Sequence, residues 1–508
     1  MAKYILAHDL GTSGNKATLF SESGQLVRSE VSPYDTHYFN GTWVEQNADD
    51  WWNAVCKSSR SLIQSTGVDS KDIGVISFSG QMMGCLCVDR EGKPLRPSII
   101  WADQRAQEQV AQIEEHISQN DFYHIVGHRN TSSYGVQKLM WVRDNEPEIY
   151  ERTYKMLNAK DYIVYKLTGQ FYTEYSDANS VACFDLNKLQ WSEKLISYAG
   201  IDRGKLPEVK PSTFVAGGVT KEAAAAAGLA EGTPVVLGAG DGVAANVGCG
   251  SISPGKTYCC MGTSAWITTT AEHPIYDDQM RTVTWAHAVP GLYAPNGTMQ
   301  YAGGCYNWLK NTICTMEAYK AGETGRSPYD YMNELIAESP AGANGLIFLP
   351  YLLGERAPRW NADAKGAWIG LKPQTTRGDI LRSVLEGVTM NLSVCLDILR
   401  TQMDITEITC VGGGAKGKVW RQIMADIYNA KILVPELLEE GSSMGAAVIG
   451  GVGAGIFRDF NAIERFIEIE SVQVPNPETA EAYGEVKEAF ESCYYALENT
   501  FKKVGKIF

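Results

Sequence analysis

Short apolar runs alternate with turn residues at the start of the chain, predicting strands over 4–7, 16–20 and 25–29 with "HDLGTSGN" and "SESG" between them. Helical spacing follows over 49–63, and a β run over 73–79 leads into "SGQMMGCLCVD". An αβ alternation continues to "KEAAAAAG", where Gly228 ends an alanine-rich helix and a buried strand over 234–237 runs into the glycines before Asp241. Then the opening pattern returns. Strand-like residues over 258–261 and 265–269 flank Gly262, Thr263 and Ser264, just as Gly11, Thr12 and Ser13 follow the first strand. Two such tips, each near the start of one half, predict an internal duplication with a boundary near residue 246. In the second half Leu381, Val384, Leu385, Val388, Leu392 and Leu396 share one face of a long helix, with Thr376 and Asp379 as its capping box. The stretch from Ile405 to Glu436 reads strand, glycine turn, helix, strand, and the tail from Asn476 and Pro477 to Lys503 reads as a closing helix.

The first glycine turn carries Asp9, Thr12, Ser13 and Lys16, a set that suits phosphate. A Walker loop would end in Gly-Lys-Ser/Thr and open a helix. Here Lys16 is followed by Ala17, Thr18, Leu19 and Phe20 and then another turn, so the loop is the tip of a β-hairpin. A chain of 508 residues predicts two large domains. With 44% hydrophobic and 20% charged residues it has the composition of a globular protein with ample core, and a formal charge of −14 excludes a general nucleic-acid binder. The twelve cysteines are scattered without a Cys-x-x-Cys pair, which predicts small core hydrophobes in a reducing compartment. His124 and His128, four apart, read as a surface pair. The uncharged run 441–457 falls short of the ~20 apolar residues of a membrane span and predicts a packed internal helix and turn. No apolar leader precedes His8 and Asp9, so the expected location is cytoplasmic, without membrane partners.

Gly412, Gly414 and Gly417 satisfy G-x-G-x-x-G between a strand and a helix, and Glu436 follows at the spacing of a ribose-binding acid. By spacing alone this supports an NAD-dependent oxidoreductase. That reading leaves both Gly-Thr-Ser hairpins and the Asp9/Asp241 pair without a purpose. In the second reading, Gly412, Gly413 and Gly414 border an adenosine whose phosphates point at the two hairpins, and one nucleotide site uses all three turns.

Two hairpins facing one cleft, with a glycine turn for adenosine, resemble the actin-like ATPase fold, and the chain is similar over nearly its whole length to the FGGY carbohydrate kinases. "DLGTSGNK" and the "GTS" at Gly262 resemble that family's two phosphate motifs, while "SGQMMG" and "IWADQR" resemble its sugar-site segments. "AKDY" and "YSDANS" follow in the expected order, and "GAGDG" stands where the family keeps its catalytic aspartate. "LPYLLGERAP", "GAWIGLKPQTTRGDILRSVLE" and "GGGAKG" complete the set.

The resemblance implies two α/β actin-like (ribonuclease H-like) domains related by duplication, 1–246 and 247–508, with the active site in the cleft between them. It implies ATP and Mg²⁺ as cofactors and a small-molecule sugar as partner, and it leaves room for a homodimer. Asp241 becomes the general base, Asp9 the residue that holds Mg²⁺ through water, and Gly11, Thr12, Ser13, Lys16, Gly262, Thr263 and Ser264 the phosphate contacts. Gln81, Met82, Trp101 and Asp103, with Asp241, are candidates to line the sugar. Arg105 fits an internal ion pair as well as a substrate contact, and Arg356 has no assigned role. D-xylulose, phosphorylated at its 5-hydroxyl, is the leading acceptor, with other pentuloses, tetruloses, hexuloses or polyols as alternatives. The chain departs from the family's pattern at Met83, where the xylulose-phosphorylating members carry His. It departs again at Gly242, where Asn or Gln is common, and at Gly135, where Pro, Ser or Thr is usual. A two-domain site also predicts that the cleft closes when sugar binds.

Overall fold

The opening alternation forms an antiparallel hairpin in the computed structural model, which describes residues 3–507. Among the strands of the two large sheets, β1 (Tyr4–Leu10) pairs with β2 (Gly14–Ser21), Leu10 facing Asn15 at the tip. The strand β3 (Leu26–Pro33) continues the meander, and β4 (Ile73–Gly80) lies parallel to β1 on its other side. A parallel neighbour needs a long crossover, supplied here by helix α1 (Ala48–Thr66). The sheet is completed by β5 (Val215–Gly218) and β6 (Pro234–Val236) in the order β5-β6-β4-β1-β2-β3.

The second sheet repeats this plan. Its strands are β7 (Thr257–Met261), β8 (Ala265–Thr269), β9 (Val283–Ala286), β10 (Tyr293–Met299), β11 (Glu407–Val411), β12 (Lys431–Pro435) and β13 (Ile469–Gln473), in the order β9-β10-β8-β7-β11-β12-β13. Read from β3 and from β10, the pairings run antiparallel, antiparallel, parallel, parallel, antiparallel in both sheets. The duplication expected from two short tips is thus a property of the whole strand order. It also removes the dinucleotide-binding alternative: the Gly412 turn leaves a mixed sheet built on a hairpin, not a doubly wound parallel one. Gly417 completes the spacing without the tight helix–strand contact that motif needs, since a Cβ there would approach nothing nearer than Asn333, at 3.8 Å.

Helix α2 (Asp241–Gly248) leads from the first sheet to the second, and the expected boundary at 246 falls inside it. The long helix α3 (Arg377–Arg400) has the predicted capping box, Asp379 N–H donating to Thr376 Oγ1 and Thr376 N–H to the Asp379 carboxylate. Its apolar face packs under the second sheet. The glycine-rich run forms α4 (Gly441–Gly453), and among the described residues no helix is long and apolar enough to cross a membrane. Although α4 follows the second sheet in sequence, Met444, Ala447, Val448 and Ile449 pack with Ile5, Ala7, Val75 and Val236 of the first. It also crosses α2 at backbone contact: a Cβ on Gly445 would sit 1.8 Å from Ala244 O, and one on Gly248 1.7 Å from Gly441 O. Glycine is required there by close approach, and the two halves are locked together where their connecting helices cross.

Candidate active site

Both hairpin tips are held from behind. At the first, Tyr34 Oη donates to Gly11 O (2.5 Å), Gln46 Nε2 to Thr12 O (2.7 Å) and Tyr34 N–H to Ser13 O (3.3 Å). At the second, Gly303 N–H donates to Gly262 O (2.9 Å), while Ala302 and Gly304 N–H both donate to Thr263 O. A trans peptide points its N–H opposite its C=O. Drawing those carbonyls backwards therefore turns the N–H groups of Thr12, Ser13 and Gly14, and of Thr263 and Ser264, outwards. Ser13 and Thr263 are exposed. Each tip is a small array of peptide donors, the geometry that receives phosphate oxygens.

The first hairpin and the third glycine turn meet one stretch of chain. From the first hairpin, Lys16 Nζ donates to Glu439 O (2.6 Å) and pairs with Glu440 (3.1 Å). From the third glycine turn, Gly412 N–H donates to Leu438 O (3.0 Å). Gly412 has φ +86°, and a Cβ there would lie 2.9 Å from Met261 O, at the root of the second hairpin. Residues 438–440 are therefore shared by the first hairpin and the third glycine turn, and that turn packs against the second hairpin. Lys16, expected as a phosphate contact, spends its charge on this interdomain link.

Between the tips stands Asp241, the first residue of α2. Gly240 pairs with Gly80 in the first sheet, and Tyr258 Oη, from β7, donates to Gly242 O at 2.8 Å. Asp241 is exposed to solvent at the cleft floor, where the surrounding protein withholds part of the hydration its charge would have in water. That enclosure, with the negative charge of Asp9 second, pushes its carboxyl up to about 7. Asp9 is half-buried and accepts from Ser79 Oγ at 2.7 Å.

The acceptor candidates divide. Trp101 Nε1 donates to Thr12 Oγ1 (3.0 Å), which joins this candidate to the first hairpin tip. Met82 lies beneath the turn that carries Asp241, where a Cβ on Gly240 would come within 2.5 Å of its Cγ. Gln81 donates to Gln46 Oε1 (2.8 Å) and keeps an enclosed Oε1 without a protein partner. Asp103 does not line the cleft. It is fully buried, takes the Val44 N–H and holds Arg105 through both oxygens. Arg105 also pairs with Glu45 (2.8 Å) and stacks on Trp43 (3.9 Å), so it is an internal ion pair, as its motif allowed. The Nε of Arg356 is enclosed without a protein partner. His128 is likewise not the surface residue expected: it is buried and stacked on Tyr134 at 3.9 Å.

At Gly242 a Cβ would enter open space, so the missing side chain widens the cleft beside the base. Met83 sits at φ +62°, its N–H held by Ser180 Oγ (3.0 Å). Its carbonyl goes to a residue that sequence reasoning passed over, Lys138. The fully buried Nζ of Lys138 donates to Met83 O (2.8 Å), Ile100 O (2.8 Å) and Ser133 O (2.5 Å), tying three acceptor segments to one ammonium. The available signal was a lone charge in the otherwise uncharged run "GVQKLMWV".

Two copies of one mixed sheet, presenting donor-lined hairpins to a shared cleft, make an actin-like phosphotransferase. This chain belongs to the FGGY carbohydrate kinases: residues 4–248 match the FGGY family of carbohydrate kinases, N-terminal domain, and residues 257–454 its C-terminal domain. A xylulose kinase of Staphylococcus epidermidis is 34% identical over 494 residues, 96% of each chain. A gluconokinase of Bacillus licheniformis is 32% identical, covering 99% of this chain and 98% of its own. Among solved structures, the ligand-bound xylulose kinase of Lactobacillus acidophilus has a TM-score of 0.92 at 27% identity, covering 99% of this chain and all of its own.

Proposed function

We propose that the protein transfers the γ-phosphoryl group of MgATP to a hydroxyl of an open-chain ketose, D-xylulose first, at its 5-hydroxyl. The observation that carries this reading is the pair of donor-lined tips, the first linked through residues 438–440 to the glycine turn that packs on the second, with Asp241 beside them. The acceptor oxygen forms a bond to the γ-phosphorus as the bond to the bridging oxygen of ADP breaks, and Asp241 takes the hydroxyl proton. With its carboxyl near 7, Asp241 is poised for that transfer at neutral pH. Thr12, Ser13, Thr263 and Ser264 receive phosphate oxygens, and Gly412, Gly413 and Gly414 border the adenosine.

Among the described residues no group of three or more His, Cys, Asp or Glu could cage a metal. The Asp9/Asp241 pair fits instead a hydrated Mg²⁺ that takes few protein carboxylates, with Asp9 holding it through water. Such an ion supplies neutralisation of phosphate charge. Cleft closure brings phosphate and hydroxyl together and keeps water out.

One observation favours a second acceptor class. Open space at Gly242 admits a longer chain beside the base, and a gluconokinase stands among the relatives. A coupled ADP-release screen across ketoses, polyols and aldonates tests both, and no acceptor-dependent ADP release from any of them sinks the kinase reading. Asp241→Asn is expected to keep nucleotide binding and lose turnover by about 10²–10⁴-fold, and near-normal turnover would remove Asp241 from the base's role.

A further inference from the structure

Behind the turn that carries Asp241 lies a buried polar chain that no step above uses. Gly240 N–H, one residue before the base, donates to Ser176 Oγ at 2.9 Å. Ser176 Oγ in turn donates to Glu174 Oε1 at 2.6 Å. The Glu174 carboxylate is fixed by four further contacts: Ser176 N–H (2.9 Å), Asp177 N–H (2.9 Å), Ser212 Oγ (2.8 Å) and Lys160 Nζ (3.4 Å). Glu174, Ser176 and Lys160 are all fully buried. Lys160 lies directly under the cleft strand, since a Cβ on Gly80 would fall 3.0 Å from its own Cβ. Gly80 is the residue paired with Gly240, and its neighbour Ser79 holds Asp9.

A hydroxyl that receives one hydrogen bond while giving another to a carboxylate is polarised in one direction and has a single low-energy orientation. Such a hydroxyl is costly to bury without partners, and here its O–H and one lone pair are both engaged. A turn entering a helix has few constraints of its own: Gly240 lacks a side chain, and Gly242 faces open space. The direction in which Asp241 leaves the backbone therefore depends on what holds the peptide before it. Besides the pairing of Gly240 with Gly80, the side chain that holds that peptide is Ser176.

Resting on the kinase reading, we propose that Ser176, fixed by Glu174, is the positioning residue of the base: it sets the Gly240 peptide so that the Asp241 carboxylate meets the acceptor hydroxyl. Ser176 touches neither substrate nor nucleotide. Its contribution is made in the transition state, because proton transfer depends on alignment more steeply than ground-state binding does.

The test is steady-state kinetics of Ser176→Ala and Ser176→Thr, with thermal melting of each, using whichever acceptor the screen identifies. Ser176→Ala is expected to lower kcat by about 10- to 100-fold while both KM values stay within about twofold, the split that marks a transition-state interaction. Ser176→Thr, which keeps the hydroxyl, should recover most of the loss. Ser212→Ala cuts the chain one bond further back and should cost about 3- to 10-fold in kcat, and it serves if Ser176→Ala does not fold. Unchanged kcat in a folded Ser176→Ala overturns the proposal, as does a loss shared between kcat and both KM values, or one that follows the melting temperature across the three variants. If Ser176→Ala does not fold, unchanged kcat in Ser212→Ala overturns it. These outcomes leave the kinase reading standing, whereas wild-type protein that phosphorylates no acceptor removes that reading and this proposal together.

Discussion

Lys138 and Lys160 are both fully buried, and each braces one wall of the cleft, yet they do so with opposite electrostatics. Lys160 faces three carboxylates, Asp161 at 2.8 Å, Asp177 at 2.9 Å and Glu174 at 3.4 Å. Burial works against its charge, but the three acids outweigh burial and hold its proton beyond the ordinary range, while Asp177 is itself pushed well above the usual carboxylate range by burial. Lys138 meets only peptide carbonyls at its Nζ, and burial pushes it down to about 7, with Asp103 a partial counterweight. The wall behind the base is thus held by charge pairing, and the wall behind the acceptor by a single ammonium shared among dipoles. The first is rigid because separating it exposes unpaired charge. The second can adapt, since carbonyls tolerate small shifts of a point-like donor.

The comparison breaks most readily at Lys160. Lys160→Met leaves three buried acids facing one another, and a loss of about 3–5 kcal/mol in urea unfolding is expected. Wild-type stability in that variant would mean that charge pairing does not hold this wall. Lys138→Met should cost about 2 kcal/mol or more, since each carbonyl stranded without a donor costs about 1–3 kcal/mol. It should also raise the acceptor KM about tenfold while kcat changes little, if the segments it ties contact the acceptor as proposed. An equal fall in kcat would put Lys138 behind the base as well.

Two pH measurements sharpen the contrast. The unfolded chain keeps a lysine proton to its ordinary 10.5, whereas folded Lys138 releases it at about 7. Between those values the unfolded state binds more protons, so this group makes stability rise with pH, and Lys138→Met should remove that rise. The base gives the second profile. Asp241 must be ionised to accept a proton, so kcat/KM should fall about tenfold per pH unit below about 7. A limb near 4 would show that neither enclosure nor Asp9 acts on it. The smallest effect is expected at Ser180→Ala, which frees the Met83 N–H and takes one donor from Asp177 O: about 0.5–1.5 kcal/mol of stability and a KM change under about threefold.

Much of this was legible along the chain. The hairpins, the capped α3 and the strand–turn–helix at Gly412 follow from local periodicity and turn chemistry, which depend on near neighbours. Asp9 and Asp241 stood out because each acid lies in a glycine-rich turn after an apolar run. Asp103 misled for a complementary reason: its partners Val44 and Arg105 fill its hydrogen bonds inside the fold, and an acid's burial is invisible without them. His128 was misplaced for the same cause, as the helix expected to carry it on the surface ends at Val126. Lys138 and the Ser176 chain were missed because their meaning lies in bonds to residues far along the chain.

The sequence alone determined the repeated strand plan and the chemistry at the two tips, since both are written in residues a few positions apart. Tertiary structure decided which peptide groups face the cleft, that the third glycine turn shares residues 438–440 with the first hairpin, and that α4 returns to cover the first sheet. The reason is physical: a peptide donor is aimed by whatever takes its carbonyl, and those partners come together only when distant segments pack.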